Sequence, residues 1–254
     1  MNHLTFIKRL LKSIFDDHRP TMDFEFVMVD NCSTDGTVDF VRNHYPQVKI
    51  IQNTEVAGFA ANNNKGTRAS SGKVLAFINP DIQLLEGSID AMVHCVNNHP
   101  AVGIVCPQLL NEDLSFQYSV RRFMNIKILF NRFLSLGRDH ATNLSVSNYL
   151  MKDLRLSTHF VPVDWAIGAA FVMKREVYDA IGGFDERYFL YVEDMDFCLR
   201  CWQHGKMVVY LPEVKMIHTH RRLSRNLFNK HFWIHLQSAC YFFYKHGFYV
   251  KSMI

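Results

Sequence analysis

The sequence predicts an α/β fold in which a mostly parallel sheet is covered by helices on both sides. Short apolar runs typical of buried strands alternate with segments of helical periodicity. The chain has 254 residues, of which 48% are hydrophobic and 13% aromatic, so it is long enough for one large domain with a sizeable core. Acids and amides collect directly after the predicted strands, where sheets of this kind bind ligands.

The first half of the chain predicts a regular alternation of elements. From Leu4 to Phe15 apolar residues recur at helical spacing, with Asn2 as the expected cap. The run "FEFVMVD" is typical of a strand buried on both faces. The predicted elements are helices over 4–15, 35–45, 62–71 and 86–98, and strands over 24–30, 48–53, 73–79 and 102–107.

The second half is expected to be less regular. Residues 112–160 have weak periodicity and mixed charge, which indicates an irregular insertion with some helix. The stretch 168–186 then predicts a strand, a helix and a Gly-Gly turn. Beyond it, "YVEDMDFCLR" (191–200) predicts a helix, "MVVYLP" and "VKMIH" predict two short strands, and an aromatic-rich helix covers 231–250.

Composition and charge narrow the classes of function. The net charge is +4, and basic residues gather in "HTHRRLSRNLFNKH" (218–231), which favours a phosphate-bearing ligand or an anionic membrane surface over general nucleic-acid binding. The six cysteines form no paired framework, which fits a reducing compartment. The sequence has no GxGxxG, no P-loop and no bilayer-spanning run, so we expect a cytoplasmic protein without a dinucleotide cofactor.

One carboxylate in the stretch 191–200 is unusually placed. On a helix this stretch has an apolar stripe through Tyr191 and Met195, with Glu193 roughly opposite. Asp194 projects at the edge of the apolar face, where burying a carboxylate is costly. Helix capping and a chemical role both explain that position.

Two aspartates suggest a reaction. If a sugar leaves a nucleotide diphosphate, a divalent ion stabilises the leaving phosphates, and Asp81, which closes "INPD" after a buried strand, is suited to hold that ion. Asp194 is suited to take a proton from the acceptor hydroxyl as general base. Two alternatives stay open: Asp81 is a turn residue after Pro80, or the two aspartates are the carboxylate pair of a glycoside hydrolase.

Several linked motifs resemble family 2 glycosyltransferases of the rhamnosyltransferase-like kind. The motifs "VMVDNCSTDGT", "NTEVAGFAANNNKG", "FINPD", "GAAFVMKREVYDAIGGFDERYFLYVEDMDFCLR" and "IHTH" occur in the order, and at about the spacing, of that family. The resemblance implies a GT-A fold and an inverting transfer from a nucleotide-diphospho-sugar, usually for bacterial surface polysaccharide. It implies one domain over 1–254, with a nucleotide-binding half at about 1–110, an acceptor-binding half at about 111–225 and a C-terminal helix at 226–254.

The resemblance also implies roles for individual residues. Asp194 matches the family's catalytic base, with Glu193 beside it. Asp81 matches a ligand of Mn²⁺ or Mg²⁺, Asn79 stands where the family has a first acid, and His218 matches a histidine that joins the metal or the diphosphate. By the same resemblance, the nucleotide pocket contains Asp30, Asn31, Ser33, Asn63 and Asn79, and Asp35 shapes its loop. The acceptor side is lined by Trp165 and Gly168, and Asp196 and Arg200 form a supporting ion pair. The basic segment with Arg221, Arg222 and Arg225 forms either a lid or a solvated loop.

The resemblance implies two substrates and leaves other partners open. The donor is a nucleotide-diphospho-sugar, with rhamnose as one candidate sugar, and the acceptor is a glycan or a lipid-linked molecule. The C-terminal helix, which combines lysines with aromatic residues, is explained equally by peripheral contact with the inner face of a membrane, by core packing or by a homodimer. Nucleic acid is the least favoured partner.

One part of the family pattern is absent. Family members begin with a buried strand that forms a wall of the base pocket, whereas this sequence starts at the helix that should follow it. We therefore expect a gap or exposed strand edges within the sheet. A start site placed too late, a truncated protein and another segment that fills the space are three open explanations. The alternative function is accordingly an inactive sugar-nucleotide-binding or glycan-binding remnant.

Overall fold

The computed structural model describes residues 1–124, 128, 144–156, 160–219 and 229–254. Its helices are α1 (Leu4–Lys12), α2 (Thr37–His44), α3 (Phe59–Arg68), α4 (Ser88–Asn98), α5 (Leu144–Tyr149), α6 (Arg175–Ala180), α7 (Glu193–Gln203) and α8 (Lys230–His246), with a π-helical turn at Ser13–Asp17 and a 3₁₀ helix at Lys152–Leu156. Its strands are β1 (Val27–Asp30), β2 (Lys49–Gln52), β3 (Val74–Ile78), β4 (Ile82–Leu84), β5 (Val102–Leu110), β6 (Val120–Arg121), β7 (Val161–Pro162), β8 (Trp165–Ala166), β9 (Ala170–Lys174) and β10 (Met207–His218).

The amino-terminal helix is confirmed, but its predicted cap is wrong. His3 occupies the N-cap position of α1, where its side chain makes no capping hydrogen bond and its carbonyl accepts from the amide of Ile7 at 2.9 Å. The amide of Leu4 instead donates to Asp35 Oδ2 at 2.9 Å, while Asn2 Oδ1 accepts from the amide of Thr34 at 2.8 Å. A side chain distant in sequence therefore satisfies the helix end and ties α1 to the loop after β1.

The central sheet is mixed, and the prediction of a mostly parallel sheet is wrong. Its strand order is β3-β9-β5-β10-β4, with β7 also beside β10, and among the described strands of this sheet β5 and β10 are the only neighbours that pair in parallel. The reason is β9, which follows the irregular insertion and lies antiparallel between β3 and β5. The two strands predicted at "MVVYLP" and "VKMIH" are one strand, β10, whose register against β5 shifts between Leu211 and Lys215. The α/β class, with a central sheet and flanking helices, is confirmed.

A cavity separates β1 from β3. Within the described chain, β1 pairs in parallel with β2 alone and β3 pairs with β9 alone, so each strand has an unpaired edge. A cavity of about 1200 Å³ lies along both strands and is also lined by residues of α1 and α3. We call this cavity the slot. It confirms the expected gap in the sheet.

The hydrophobic core is unevenly distributed. The largest cluster of buried side chains joins α7, α8, β9 and β10 and includes Phe197 and Phe242. A second cluster packs α4 against the central sheet. The third cluster holds the β1–β2 pair to α1 and α2 and contains only five buried residues, Ile7, Leu11, Met28, Val41 and Val48. The region that carries Asp194 is therefore packed more deeply than the β1–β2 region.

Candidate active site

The stretch that leads into α7 has a strained backbone. Tyr191 and Val192 both adopt left-handed conformations, with φ of 69° and 68°. Such a conformation costs about 1–3 kcal/mol for a non-glycine residue, and strain of this kind concentrates at functional sites. Val192 is buried, and its carbonyl accepts from the amide of Asp196 at 2.9 Å. Packing and the first turn of α7 therefore hold the strained turn directly before Glu193 and Asp194.

Asp194 is held by two backbone amides. Its Oδ2 accepts from Gly168 at 3.0 Å, and its Oδ1 accepts from Met195 at 2.9 Å. Val192, the N-cap residue of α7, makes no side-chain capping bond, and Asp194 satisfies one amide of the first turn, that of Met195. Capping does not account for its second bond, to Gly168, which lies outside the helix. Burial raises the pKa of Asp194, and the two amides and the charge of Arg121 oppose this rise only in part. A carboxylate with a raised pKa is suited to act as a general base near neutral pH.

Glu193 lies beside Asp194 in a different environment. Its side chain is buried, and within the described part of the chain its Oε2 has no hydrogen-bond partner. Burial, followed by the charge of Asp194, raises the pKa of Glu193 well above its ordinary value. The raised pKa favours the protonated form of Glu193, which limits the repulsion between the two neighbouring side chains.

The face of α7 opposite its apolar stripe is also buried. Asp196 is fully buried, and Arg200 Nε donates to its Oδ2 at 2.8 Å, which confirms the predicted ion pair. Lys245 Nζ and His246 Nε2, both on α8, lie 2.6 and 2.7 Å from Asp196 Oδ1. Burial raises the pKa of Asp196, but these contacts outweigh it and keep the pKa below its ordinary value. Helical periodicity could not reveal this network because α8 lies far along the chain.

Asp81 and His218 come together beside the end of β10. β4 pairs with β10 so that His218 is opposite Ile82, and His218 Nε2 lies 3.6 Å from Asp81 Oδ1. Burial lowers the pKa of His218 to about 4, so the imidazole is neutral, and its Nδ1 lies 2.9 Å from Gln117 Oε1. Sequence reasoning missed Gln117 because it belongs to the irregular insertion.

This pair of side chains fits a divalent cation. A carboxylate and a neutral imidazole are donors that Mn²⁺ accepts, and an oriented histidine is typical of metal ligands. Among the described residues, no group of three or more His, Cys, Asp or Glu side chains gathers. An ion held by Asp81 and His218 would therefore take further ligands from substrate phosphates and water, as Mg²⁺ commonly does in proteins.

The predicted nucleotide residues and the predicted metal ligand Asp81 lie along the slot. Part of its lining comes from residues at the carboxyl ends of β1 and β3 and on α3, namely Asp30, Asn31, Ser33, Asn63, Asn79 and Asp81. Asp30 Oδ2 accepts from the amide of Ser33 at 3.0 Å, which shapes the turn after β1. Asn31 uses both ends of its amide, since Oδ1 accepts from the Ala57 amide and Nδ2 donates to the Ala57 carbonyl, each at 2.9 Å. Asn31 therefore connects two loops, and Asp30 and Ser33 lie beside it.

A short backbone path joins the slot to Asp194. The amide of Asn79 donates to the carbonyl of Ala169 at 2.9 Å. The amide of Gly168, the residue before Ala169, donates to Asp194 Oδ2. A Cβ on Gly168 would lie only 3.1 Å from the Cβ of Asp194, so glycine permits this close approach. The structure thus brings Gly168 and Asp194 together and links both to the end of β3.

The remaining candidate residues lie in the core, along the slot or outside the described residues. Trp165 is buried in the largest core cluster, and its Nε1 donates to the carbonyl of Arg122 at 2.8 Å. Sequence reasoning missed His231, which lines the slot and whose Nδ1 lies 3.3 Å from Tyr191 Oη. The basic cluster 218–231 was the only signal for it. Arg221, Arg222 and Arg225 lie outside the described residues.

Solved structures identify the fold. The chain matches the crystal structure of GalNAc-T7 with UDP, GalNAc and Mn²⁺ at a TM-score of 0.66 and 14% sequence identity, covering 94% of this chain and 47% of that one. At that identity the likeness concerns the fold alone. The protein has the GT-A fold that the sequence motifs implied.

The family follows from the sequence itself. A model of glycosyl transferase family 2 matches residues 1–182, and the chain belongs to that family. It is 30% identical over 204 residues to the N-acetylglucosaminyl-diphospho-decaprenol L-rhamnosyltransferase of Mycobacterium tuberculosis, covering 76% of this chain and 65% of that protein. It is 25% identical over 245 residues to the rhamnosyltransferase WbbL of Escherichia coli, covering 93% and 87%. The chain thus spans slightly less than two thirds of the mycobacterial protein's length.

Proposed function

We propose that the protein is an inverting glycosyltransferase that moves a sugar from a nucleotide-diphospho-sugar to an acceptor hydroxyl in bacterial surface polysaccharide synthesis. The observation that carries the proposal is the Asp194 carboxylate, which has a raised pKa, follows a strained turn and is bonded to Gly168. Two relatives are named as rhamnosyltransferases, which makes rhamnose the first sugar to test.

Asp194 is the proposed general base. As the acceptor oxygen attacks the anomeric carbon, its proton passes to Asp194, and the bond from that carbon to the diphosphate oxygen breaks on the opposite face. A single displacement of this kind inverts the configuration of the sugar. The raised pKa of Glu193 favours its protonated form, which would not compete for the acceptor proton.

Asp81 and His218 are the proposed holders of Mn²⁺ or Mg²⁺. An ion bound there would neutralise the charge that develops on the diphosphate leaving group. The neutral state of His218 and its 3.6 Å separation from Asp81 support this assignment. The presence of Mn²⁺ in the GalNAc-T7 structure is consistent with it.

The proposed nucleotide site lies in the slot, at the carboxyl ends of β1 and β3. Asp30 and Ser33 would contact the base and ribose, Asn31 would hold their loop in place, and Asn63 and Asn79 would complete the pocket. This arrangement supports a nucleotide-binding half over about 1–110 and an acceptor-binding half over about 111–225, which meet where Gly168 and Ala169 pass the end of β3.

The variant Asp194→Asn tests the proposed base. With Mn²⁺, a panel of dTDP-, UDP- and GDP-sugars and a GlcNAc-diphospho-lipid acceptor, we expect the variant to lose about 10²–10⁴-fold in turnover. The Kd of the nucleoside diphosphate, measured by calorimetry, should change by less than about twofold because nucleotide contacts lie elsewhere. Asp39→Asn, on the exposed face of α2, is the matched control and should keep both properties. Turnover that survives in Asp194→Asn would disprove the assignment.

The slot favours a second candidate function, that of an inactive protein that binds a sugar nucleotide or a glycan. The unpaired edge of β1 leaves the proposed nucleotide site open on one side. Calorimetry with UDP and dTDP beside the activity assay distinguishes the two functions. Nucleotide binding without turnover across the whole sugar panel would favour the inactive protein, and turnover of any donor would exclude it.

We further propose a cytoplasmic location at the inner face of the membrane. The name of the mycobacterial relative specifies a decaprenol-linked diphosphate acceptor, which is held in a bilayer. A homodimer is a separate prediction, and nucleic acid is not among the proposed partners. None of the helices in the described ranges has the length and hydropathy needed to cross a membrane.

A further inference from the structure

The outer face of α8 carries exposed apolar side chains. Trp233, Leu236 and Tyr244 recur at helical spacing on one side of the helix. Phe248 and Tyr249 continue the same kind of surface beyond the end of α8. The exposed fraction of these side chains runs from 40% for Leu236 to 86% for Tyr244. We call these five residues the outer stripe.

Core packing does not explain the outer stripe, because the inner face of α8 already supplies the core contacts. Phe242 and Phe243 are buried on that inner face. Ser238 Oγ donates to the carbonyl of Leu190 at 2.9 Å, and Lys245 binds the buried carboxylate network of α7. α8 is therefore fixed to α7 by one face and presents the other to solvent.

The segment after α8 is also held in place. Phe248 stacks on Phe243, with ring centroids 6.0 Å apart. The amide of Met253 and the hydroxyl of Ser252 donate to Asp164 Oδ1 at 2.8 and 3.1 Å. The outer stripe is thus a preformed surface, which reduces the entropy lost when a partner binds.

The charge around the outer stripe selects among partners. Residues 229–254 contain no Asp or Glu, and Lys230 and Lys251 are exposed at its two ends. In a two-fold homodimer this face would meet a second copy of itself, so charge of a single sign would find no complement there. An anionic surface does complement it. Tryptophan and tyrosine flanked by lysine are also the residues that favour the bilayer interface.

We propose that the outer stripe rests on an anionic phospholipid surface, with α8 lying in the plane of the bilayer. The observations that support this membrane contact are independent of the proposed function, but its consequence for the acceptor rests on that function. α8 begins beside the site, because His231 contacts Tyr191, which closely precedes Glu193 and Asp194. A surface-bound α8 would hold that end of the site next to the lipid headgroups, where a lipid-linked acceptor reaches Asp194 without leaving the bilayer.

Vesicle flotation tests the proposal without nucleotide or acceptor. We expect the chain to float with phosphatidylcholine vesicles that contain phosphatidylglycerol, and to float less as salt rises. The triple variant W233S/Y244S/Y249S should lower the bound-to-free ratio about tenfold or more. K230E/K251E should lower it on phosphatidylglycerol vesicles alone. The matched control L114S/L144S removes exposed leucines elsewhere and should float like the wild type.

Each outcome supports or overturns the proposal. Thermal midpoints close to that of the wild type establish that the variants fold. A wild type that stays in solution with phosphatidylglycerol vesicles, or a triple variant that floats as well as the wild type, overturns it. A dimer in sedimentation velocity that the triple variant dissociates, without flotation of the wild type, assigns the stripe to a second copy instead. Hydrolysis of soluble nucleotide-sugars is a separate readout: flotation without hydrolysis in the wild type contradicts only the proposed function.

Discussion

The helix pair α7–α8 and the strand pair β1–β2 carry opposite ends of the candidate site and are held in opposite ways. Between the helices, the fully buried Asp196 is contacted by Arg200, Lys245 and His246. β1 is hydrogen-bonded along one edge to β2, and the slot occupies its other side. The two helices are held together by buried ion pairs and core packing, whereas β1 has one edge without a neighbour among the described strands.

The difference indicates which part of the site is prepared in advance. A buried carboxylate is costly unless its partners have good geometry, so the charge network favours one relative position of α7 and α8. Asp194 lies in the first turn of α7 and shares that position. The β1–β2 pair is held by a five-residue cluster and by loop contacts such as that between Asn31 and Ala57. We infer that the α7–α8 side, which carries the proposed base, is preorganised and that the β1–β2 side, which carries the proposed nucleotide site, retains more freedom.

Asp196→Ala breaks the more firmly held side and has the largest expected effect. It leaves Arg200 without its buried counter-charge and removes one of the two carboxylates that Lys245 contacts, the other being Asp185. These losses should lower the free energy of unfolding by about 3–5 kcal/mol. Urea unfolding measures the loss. The control Asp39→Ala removes a carboxylate 3.5 Å from Arg42 on the exposed face of α2, and should cost less than about 1 kcal/mol. Similar losses in both variants would show that the network does not hold α7 to α8.

Native-state hydrogen exchange tests the open side and has an intermediate expected effect. The hydrogen-bonded amides between β1 and β2 should exchange at least about tenfold faster than those between β5 and β10, since few buried contacts oppose local opening. The matched comparison is internal, because both pairs are parallel. Mass spectrometry of peptides from each pair gives the rates. Equal protection would contradict the contrast drawn between the two regions.

Glu193→Gln sharpens the comparison beside Asp194 and has the smallest expected effect per unit of pH. The pKa of Glu193 is raised in the folded protein. The contribution of this side chain to the free energy of unfolding is therefore greatest below the unfolded pKa of about 4.3, and it falls as pH rises towards the folded pKa. Glutamine cannot ionise, so the variant should flatten this fall by up to about 1.4 kcal/mol per pH unit. Urea unfolding between about pH 5 and pH 8 measures the slope. An unchanged slope would show that folding does not raise the pKa of Glu193.

Local structure was predictable where short-range pattern decides it. α4 begins and ends close to the predicted 86–98 because its periodicity is strong. The Gly-Gly turn is confirmed, and Gly182 and Gly183 both have left-handed φ, of 79° and 67°, which glycine adopts readily. β3 likewise lies within the predicted run 73–79.

Features that depend on distant contacts were not predictable from periodicity. The direction of β9, the capping of α1 by Asp35 and the approach of Lys245 to Asp196 each join segments far apart in the chain. The proximity of Asp81 and His218 was implied by resemblance rather than by spacing. The family and the fold are confirmed, while the roles of individual residues remain predictions, among them the role of Asp194 that Asp194→Asn tests.

The left-handed backbone of Tyr191 and Val192 links the stability of this protein to the position of Asp194. Each residue carries an unfavourable backbone energy of about 1–3 kcal/mol, and replacing Val192 with glycine would relieve the backbone while removing a buried side chain. Laboratory selection for heat resistance would tend to relax this turn. The Asp194 carboxylate that follows the turn would then lose its alignment, and with it the proposed role as general base.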